Sequence, residues 1–229
     1  MMMMLFVAAC SKERTVIPAQ PNFPTDTTKK PKTYLALGDS YTIGSSVAVS
    51  ERFPVQLAGM FASQGQQITG PEIIATSGWT TGSLLSALSA AGPLKSNYDL
   101  VSLLIGVNNQ YQRRSQAEYK TEFTTLLNQA ISYAGGKKNR VFVLSIPDYS
   151  VTPFAQNSDT VTISNEIDQF NAINRQVAEL MGVQYLDITP ISREGRTNAA
   201  MQAGDGLHPS GLQYRRWAAL LAPMMKASL

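Results

Sequence analysis

The chain contains a single histidine, His208, which follows Asp205 by three residues in Asp205-Gly206-Leu207-His208-Pro209-Ser210. Chemistry that needs an imidazole must use this one, and a metal site built from several histidines is excluded. An Asp at that distance, across a turn, can bond one ring nitrogen and leave the other to take a proton from a nucleophile. A nucleophile is offered far upstream in Gly38-Asp39-Ser40-Tyr41-Thr42-Ile43-Gly44, directly after an apolar run. The glycine there permits a tight turn, and Ser40 then opens a helix among backbone N–H groups that favour negative charge. A serine, an imidazole and a carboxylate in these settings describe acyl transfer through a covalent intermediate.

Such chemistry needs donors aimed at the oxygen that becomes negative. Two places offer them: Gly78 in Thr76-Ser77-Gly78-Trp79, with a backbone N–H free of side-chain cover, and Asn108 in Gly106-Val107-Asn108-Asn109. Asp39 is expected to bond the surrounding loops rather than react. Trp79 suits either a pocket wall or the core. Asp148 is a rival to Asp205 as the partner of the histidine. It opens the polar, proline-containing segment 148–161, which with Pro147 forms either a wall or lid of the site or an inert surface loop.

A scaffold must bring these distant positions together. From Thr33 onward, short apolar runs alternate with amphipathic stretches. Strands are expected at 34–37, 72–75, 100–105, 141–146 and 184–188, and the unbroken apolar runs at 100–105 and 141–146 suit strands covered on both faces. Helical periodicity marks 116–134 and 163–181, each ended by glycine, and a last helix from about Pro209, with that proline at its first position. Five strands alternating with helices predict an α/β fold, a three-layer α/β/α sandwich around a parallel sheet. Ser40, Gly78, Asn108 and the Asp205–His208 pair all fall after expected strands, where open parallel sheets bind ligands.

These four motifs, in this order, resemble those of the SGNH hydrolases, also called GDSL esterases and lipases, from about Thr33 to the C-terminus. The resemblance implies Ser40 as nucleophile, His208 as general base and Asp205 as its orienting acid. It also implies an oxyanion hole made by Gly78, Asn108 and the Ser40 backbone N–H, and a flavodoxin-like fold with a five-stranded parallel sheet. No metal or organic cofactor is required by such a mechanism. Where the family usually has Gly-x-Asn-Asp, this chain has Asn109 in the last place, so the bonds that Asp makes must be made differently.

Composition narrows the alternatives. The 229 residues fit one domain, here 33–229, with an ordinary 44% hydrophobic and 15% charged content. The formal charge of +3 is carried by residues 11–32, which leaves the domain near neutral and without the basic face that nucleic acid requires. A flavin-binding module, with Ser40, Thr42 and Gly44 cradling phosphate, would leave the Asp205–His208 pair without a purpose. A catalytically dead surface-binding module would have no use for the complete set of groups. The expected substrate is a small-acyl or carbohydrate ester, with a lysophospholipid or other lipid ester as the alternative.

The first ten residues, ending in Val7-Ala8-Ala9-Cys10, resemble the acylation site of bacterial lipoproteins. Residues 11–32, with Pro18, Pro21, Pro24 and Pro31 among polar residues, are expected to form a disordered tether. Together they predict a domain held by a lipid on Cys10 to the bacterial cell envelope, on the extracytoplasmic side. Expressed from its full gene, the protein should partition with membranes, and Cys10→Ser should move it to the soluble fraction. Full-length wild type recovered from the cytosol with an unmodified Cys10 thiol would refute the anchor.

Overall fold

The computed structural model describes residues 30–92 and 94–229, so the expected signal segment 1–10, with Cys10, and the expected tether up to residue 29 lie outside the described residues. In chain order the main elements are β1 (Lys32–Gly38), α1 (Ser40–Ile43), α2 (Phe53–Ala62), β2 (Ile68–Ala75), α3 (Thr81–Ala90) and β3 (Leu100–Leu104). There follow α4 (Val107–Tyr111), α5 (Gln116–Tyr133), β4 (Val141–Leu144), α6 (Thr160–Leu180), β5 (Gln184–Leu186), α7 (Thr189–Arg193) and α8 (Gly211–Ala227). All five strands are parallel, in the order β2-β1-β3-β4-β5, the flavodoxin-like arrangement that the motifs implied.

Every residue of β3 and β4 is buried, as their unbroken apolar runs require of strands covered on both faces. The chain leaves β1 toward β2 on one side and crosses back to β3 on the other. Right-handed crossovers therefore place α2 on the face opposite α3, α5 and α6. The helix contacts agree, since α2 packs on α8 while α5 packs against both α3 and α6. The result is the expected three-layer sandwich.

Register sets the geometry of the sheet's upper edge. Gly38 at the end of β1 pairs with Ala75 on one side and Leu104 on the other, so three strands end level with one another. Ser40, Gly78 and Asn108 follow these ends within four residues. A Cβ on residue 38 would collide with the Thr42 hydroxyl and the Leu104 carbonyl oxygen, so the turn into α1 closes only over glycine.

Three expectations are corrected. β1 begins at Lys32, inside the expected tether, and β2 begins at Ile68 rather than at residue 72. Gly70 and Pro71 disguise β2, and an edge strand tolerates both. Pro209 is not the first residue of the last helix. It forms an isolated antiparallel bridge with Gln202, and Ser210 is the N-cap, its Oγ accepting the Gln213 N–H. The 208–210 segment is held extended by Ala203 N–H to His208 O at 2.8 Å and Ser210 N–H to Met201 O at 2.9 Å.

An aromatic cluster joins α8 to the site. Trp217, fully buried, lies 5.1 Å from Tyr214, 6.3 Å from Phe53 and 6.5 Å from Tyr41 between ring centroids, and Tyr41 in turn lies 5.8 Å from the His208 ring. Two glycine substitutions test the packing. Gly38→Ala should cost about 1–3 kcal/mol or more, because the colliding atom Leu104 O is backbone and cannot turn aside. Gly59→Ala, inside α2 where a Cβ meets nothing, should gain about 0.4–1 kcal/mol. Urea unfolding midpoints measure both, and equal effects would mean that close approach at Gly38 is not the constraint.

Candidate active site

Ser40 is the first residue of α1, a helix of only four residues. Asp39 caps it, its Oδ1 accepting the Tyr41 N–H at 3.0 Å. The Ser40 N–H belongs to the first turn, where no intrahelical acceptor exists. Gly44, left-handed at φ +72°, ends the helix by donating its N–H to Ser40 O. Asp39 is fully buried, as its expected structural role requires, and its Oδ2 has no hydrogen-bond partner. Burial pushes this carboxyl up to about 7, against the Tyr41 and Gly106 amides that favour its charged form. Thr42 is also fully buried, so the Ser40, Thr42 and Gly44 phosphate cradle weighed above does not face solvent.

The two expected oxyanion donors arrive from neighbouring strand ends. Gly78 is exposed with φ +84°, and a Cβ there would meet nothing, so conformation rather than space calls for glycine. Asn108 sits in the first turn of α4, behind Gly106 at φ +135°. Its Nδ2 donates one hydrogen to Trp79 O at 2.9 Å, which fixes the amide and leaves its second hydrogen available. Trp79 serves through this carbonyl, and its ring packs partly buried against the core. Asn109, standing where the family usually has Asp, uses both ends of its amide. Its Oδ1 accepts Thr81 N–H at 2.9 Å, and its Nδ2 donates to Thr81 Oγ1 at 2.6 Å. Thr81 Oγ1 donates its own hydrogen bond to Glu122, so the amide supplies a donor that a carboxylate could not.

Asp205 is the most heavily bonded group of the site. Its Oδ1 accepts the Leu207 and His208 backbone N–H groups, each at 3.0 Å. Its Oδ2 lies 2.6 Å from His208 Nδ1 and accepts the Ser46 hydroxyl at 2.6 Å. Burial works to raise the pKa of this carboxyl. The bonds from Ser46, His208 and the two backbone amides prevail and hold it well below the usual carboxylate range. A carboxylate only accepts, so Nδ1 carries a proton and Nε2 of the neutral ring is the basic nitrogen.

Ser40, Gly78, Asn108 and His208 line one open cavity of about 200 Å³ at the carboxyl end of the sheet, with Asp205 bonded to the histidine beside it. Asp148 is not the histidine's partner. Its Oδ1 accepts the Ser150 N–H, and its Oδ2 accepts Ser164 Oγ at 2.6 Å and Arg193 Nε at 2.9 Å. Burial is the largest influence on its pKa and raises it, but these bonds outweigh it and lower the pKa. Asp148 thereby anchors its own segment, which forms a wall of the cavity. That segment turns through Tyr149–Val151 and Pro153–Ala155 before α6 begins at Thr160.

Two features escaped the sequence reading. One is Ser46, left-handed at φ +65°, which crosses 159 residues of chain to reach Asp205. The other is an aromatic trio on the cavity wall, Tyr111, Tyr149 and Phe154, with ring centroids 6.1–6.3 Å apart. Neither lies in a motif or follows a period. Exposure marks two of the three only in the folded chain, Tyr111 being 57% and Phe154 49% exposed, while Tyr149 is buried behind them.

Ester hydrolases are the class that this sheet edge and its cavity define. The chain belongs to the GDSL-like lipase/acylhydrolase family, whose model matches residues 36–216. By sequence, no curated protein matches it. Among solved structures it is similar to TesA at 18% identity, over 86% of this chain and 100% of that one, with a TM-score of 0.67. Axe2, an acetylxylan esterase from Geobacillus stearothermophilus, matches at 18% identity over 85% and 94% of the two chains, with a TM-score of 0.61. A lipase/acylhydrolase from Enterococcus faecalis matches at 18% identity over 86% and 96%, with a TM-score of 0.64. At such identities the likeness shows a shared fold.

The raised pKa of Asp39 has a measurable consequence. A carboxyl whose folded-state pKa exceeds its unfolded value supports the fold fully at low pH and loses that support as pH rises to about 7. Asp39→Asn keeps a cap acceptor for the Tyr41 N–H and removes the titration. Its melting temperature relative to wild type should therefore be higher at about pH 8 than at about pH 5. A difference that does not change with pH would show that the carboxyl does not titrate in this window.

Proposed function

We propose that the protein hydrolyses small-acyl or carbohydrate esters through an acyl-enzyme formed on Ser40. The observation that carries this reading is the 2.6 Å contact of Asp205 with the only imidazole of the chain, beside a cavity that His208 and Ser40 both line. His208 Nε2 takes the Ser40 proton as Oγ attacks the ester carbonyl, and Asp205 stabilises the imidazolium that forms. The Ser40 and Gly78 amides and the remaining Asn108 hydrogen hold the oxyanion. His208 returns its proton to the departing alcohol, and water then repeats the cycle on the acyl-serine.

A short acyl group is favoured because the cavity is small and open, with Ser40, Ser77 and Asn108 in its lining. That Axe2 is an acetylxylan esterase accords with this choice. We further propose that the domain works outside the cytoplasm on a lipid anchor at Cys10, on the strength of Val7-Ala8-Ala9-Cys10 and the proline-punctuated segment behind it.

The purified protein should hydrolyse p-nitrophenyl acetate, and a fluorophosphonate should label Ser40. Ser40→Ala and His208→Ala should lose similar activity, and the double variant little more, since the two groups act as one unit. Asn108→Ala should lower kcat by about 10²–10³ with little change in KM. Asp205 stays ionised through the neutral range, so the carboxylate that orients the ring is present throughout it. Labelling undiminished by Ser40→Ala would overturn the assignment.

A further inference from the structure

Beyond the wall of the catalytic cavity the surface opens into a second, larger cleft of about 410 Å³, within the range of about 300–1,000 Å³ usual for ligand sites. A ridge two residues wide divides them: Phe154 lines the catalytic cavity and Pro153 lines the cleft. The ridge is fixed to the segment that carries the histidine. The Phe154 N–H donates to Gly206 O at 3.0 Å, and a Cβ on Gly206 would lie 3.3 Å from Pro153. The far side is fixed as well, for Gln202 Nε2 donates to Gly195 O at 3.1 Å while Gln202 bridges to Pro209, next to His208. The two spaces are thus rigid neighbours rather than separate accidents of the surface.

Their linings differ in chemistry. The catalytic cavity is walled by aromatic rings, whereas the cleft carries Gln156, Thr197 and one cation, Arg196, beside the apolar Val151, Pro153 and Ala199. No carboxylate lines it. The nearby arginines are neutralised: Arg193 by Asp148 and Asp168, and Arg216 by Glu194. Arg196 is exposed, and among the described residues no ion pair or hydrogen bond engages it. A polar group bearing a negative charge would find an unspent guanidinium here, with the Gln156 amide and Thr197 beside it.

We propose that this cleft is a subsite for the alcohol portion of the substrate and takes a carboxylate-bearing sugar, a uronic acid unit. That unit would lie across the Pro153–Phe154 ridge from the ester at Ser40. The assignment rests on the esterase reading of the Ser40 cavity and narrows it to esters of acidic oligosaccharides.

The test compares acetylated xylo-oligosaccharides with and without a glucuronate branch, using p-nitrophenyl acetate as a substrate too short to cross the ridge. Wild type should show a KM about tenfold lower for the acidic substrate, the worth of one charge-assisted hydrogen bond. Arg196→Gln should erase that advantage at unchanged kcat and leave p-nitrophenyl acetate untouched, and Arg196→Lys should restore part of it. Titration calorimetry with the unacetylated acidic oligosaccharide should show the same tenfold loss in Arg196→Gln, a readout independent of hydrolysis. Equal KM values for neutral and acidic substrates, or equal losses on all three substrates, would overturn the subsite. So would a dependence on Arg196 seen only with lysophospholipids, which would make the anion a phosphate head group. Failure of wild type on p-nitrophenyl acetate, with calorimetry as expected, would instead refute the esterase reading and spare the subsite.

Discussion

At residue 38 there is no room for a side chain: the Thr42 hydroxyl and the Leu104 carbonyl oxygen occupy the space a Cβ would take. This close approach lets β1 end level with β2 and β3 and turn at once into α1. Were the turn wider, Ser40 would lift away from the ends of the neighbouring strands, and the loops bearing Gly78 and Asn108 would no longer meet it around one cavity. The nucleophile we propose is thus placed by the backbone, through a steric constraint beneath it rather than a bond to its own side chain.

The opposite half of the site is built by hydrogen bonding. Asp205 takes two backbone amides on one oxygen and Ser46 with His208 on the other. Its charge is therefore stabilised before a substrate arrives, the condition under which electrostatic stabilisation costs no reorganisation during the reaction. The aromatic chain from Trp217 through Tyr41 to His208 connects this half to the first, since Tyr41 is the neighbour of Ser40. One half is set by sterics, the other by polar bonds, and packing of rings fixes their relation.

What the sequence discloses depends on how local each cause is. Ser40, Gly78, Asn108 and the Asp205–His208 pair stand out because residue type and position after a strand suffice to single them out, and the structure brings them to one place. The buried strands β3 and β4 are equally plain, since burial on both faces leaves an unbroken apolar run. β2 is misread at its start because an edge strand accepts Gly70 and Pro71, which elsewhere would end a strand. Pro209 is misplaced because its partner, Gln202, belongs to a bridge that no periodicity announces. Ser46 and the Tyr111–Tyr149–Phe154 wall are invisible for the same reason: their meaning lies in partners scores of residues away, or in exposure that only the folded surface defines.

The solitary histidine has a consequence for observation. In the untagged chain every imidazole resonance in a proton spectrum arises from His208. Its ring stands at 65° to that of Tyr41, at a distance where the ring current of the tyrosine displaces the signal from its free-peptide position. A ligand entering the cavity, or a change in the bond to Asp205, would move the imidazole lines of one residue alone. Few sites of this size carry a reporter that needs no label and cannot be confused with another residue.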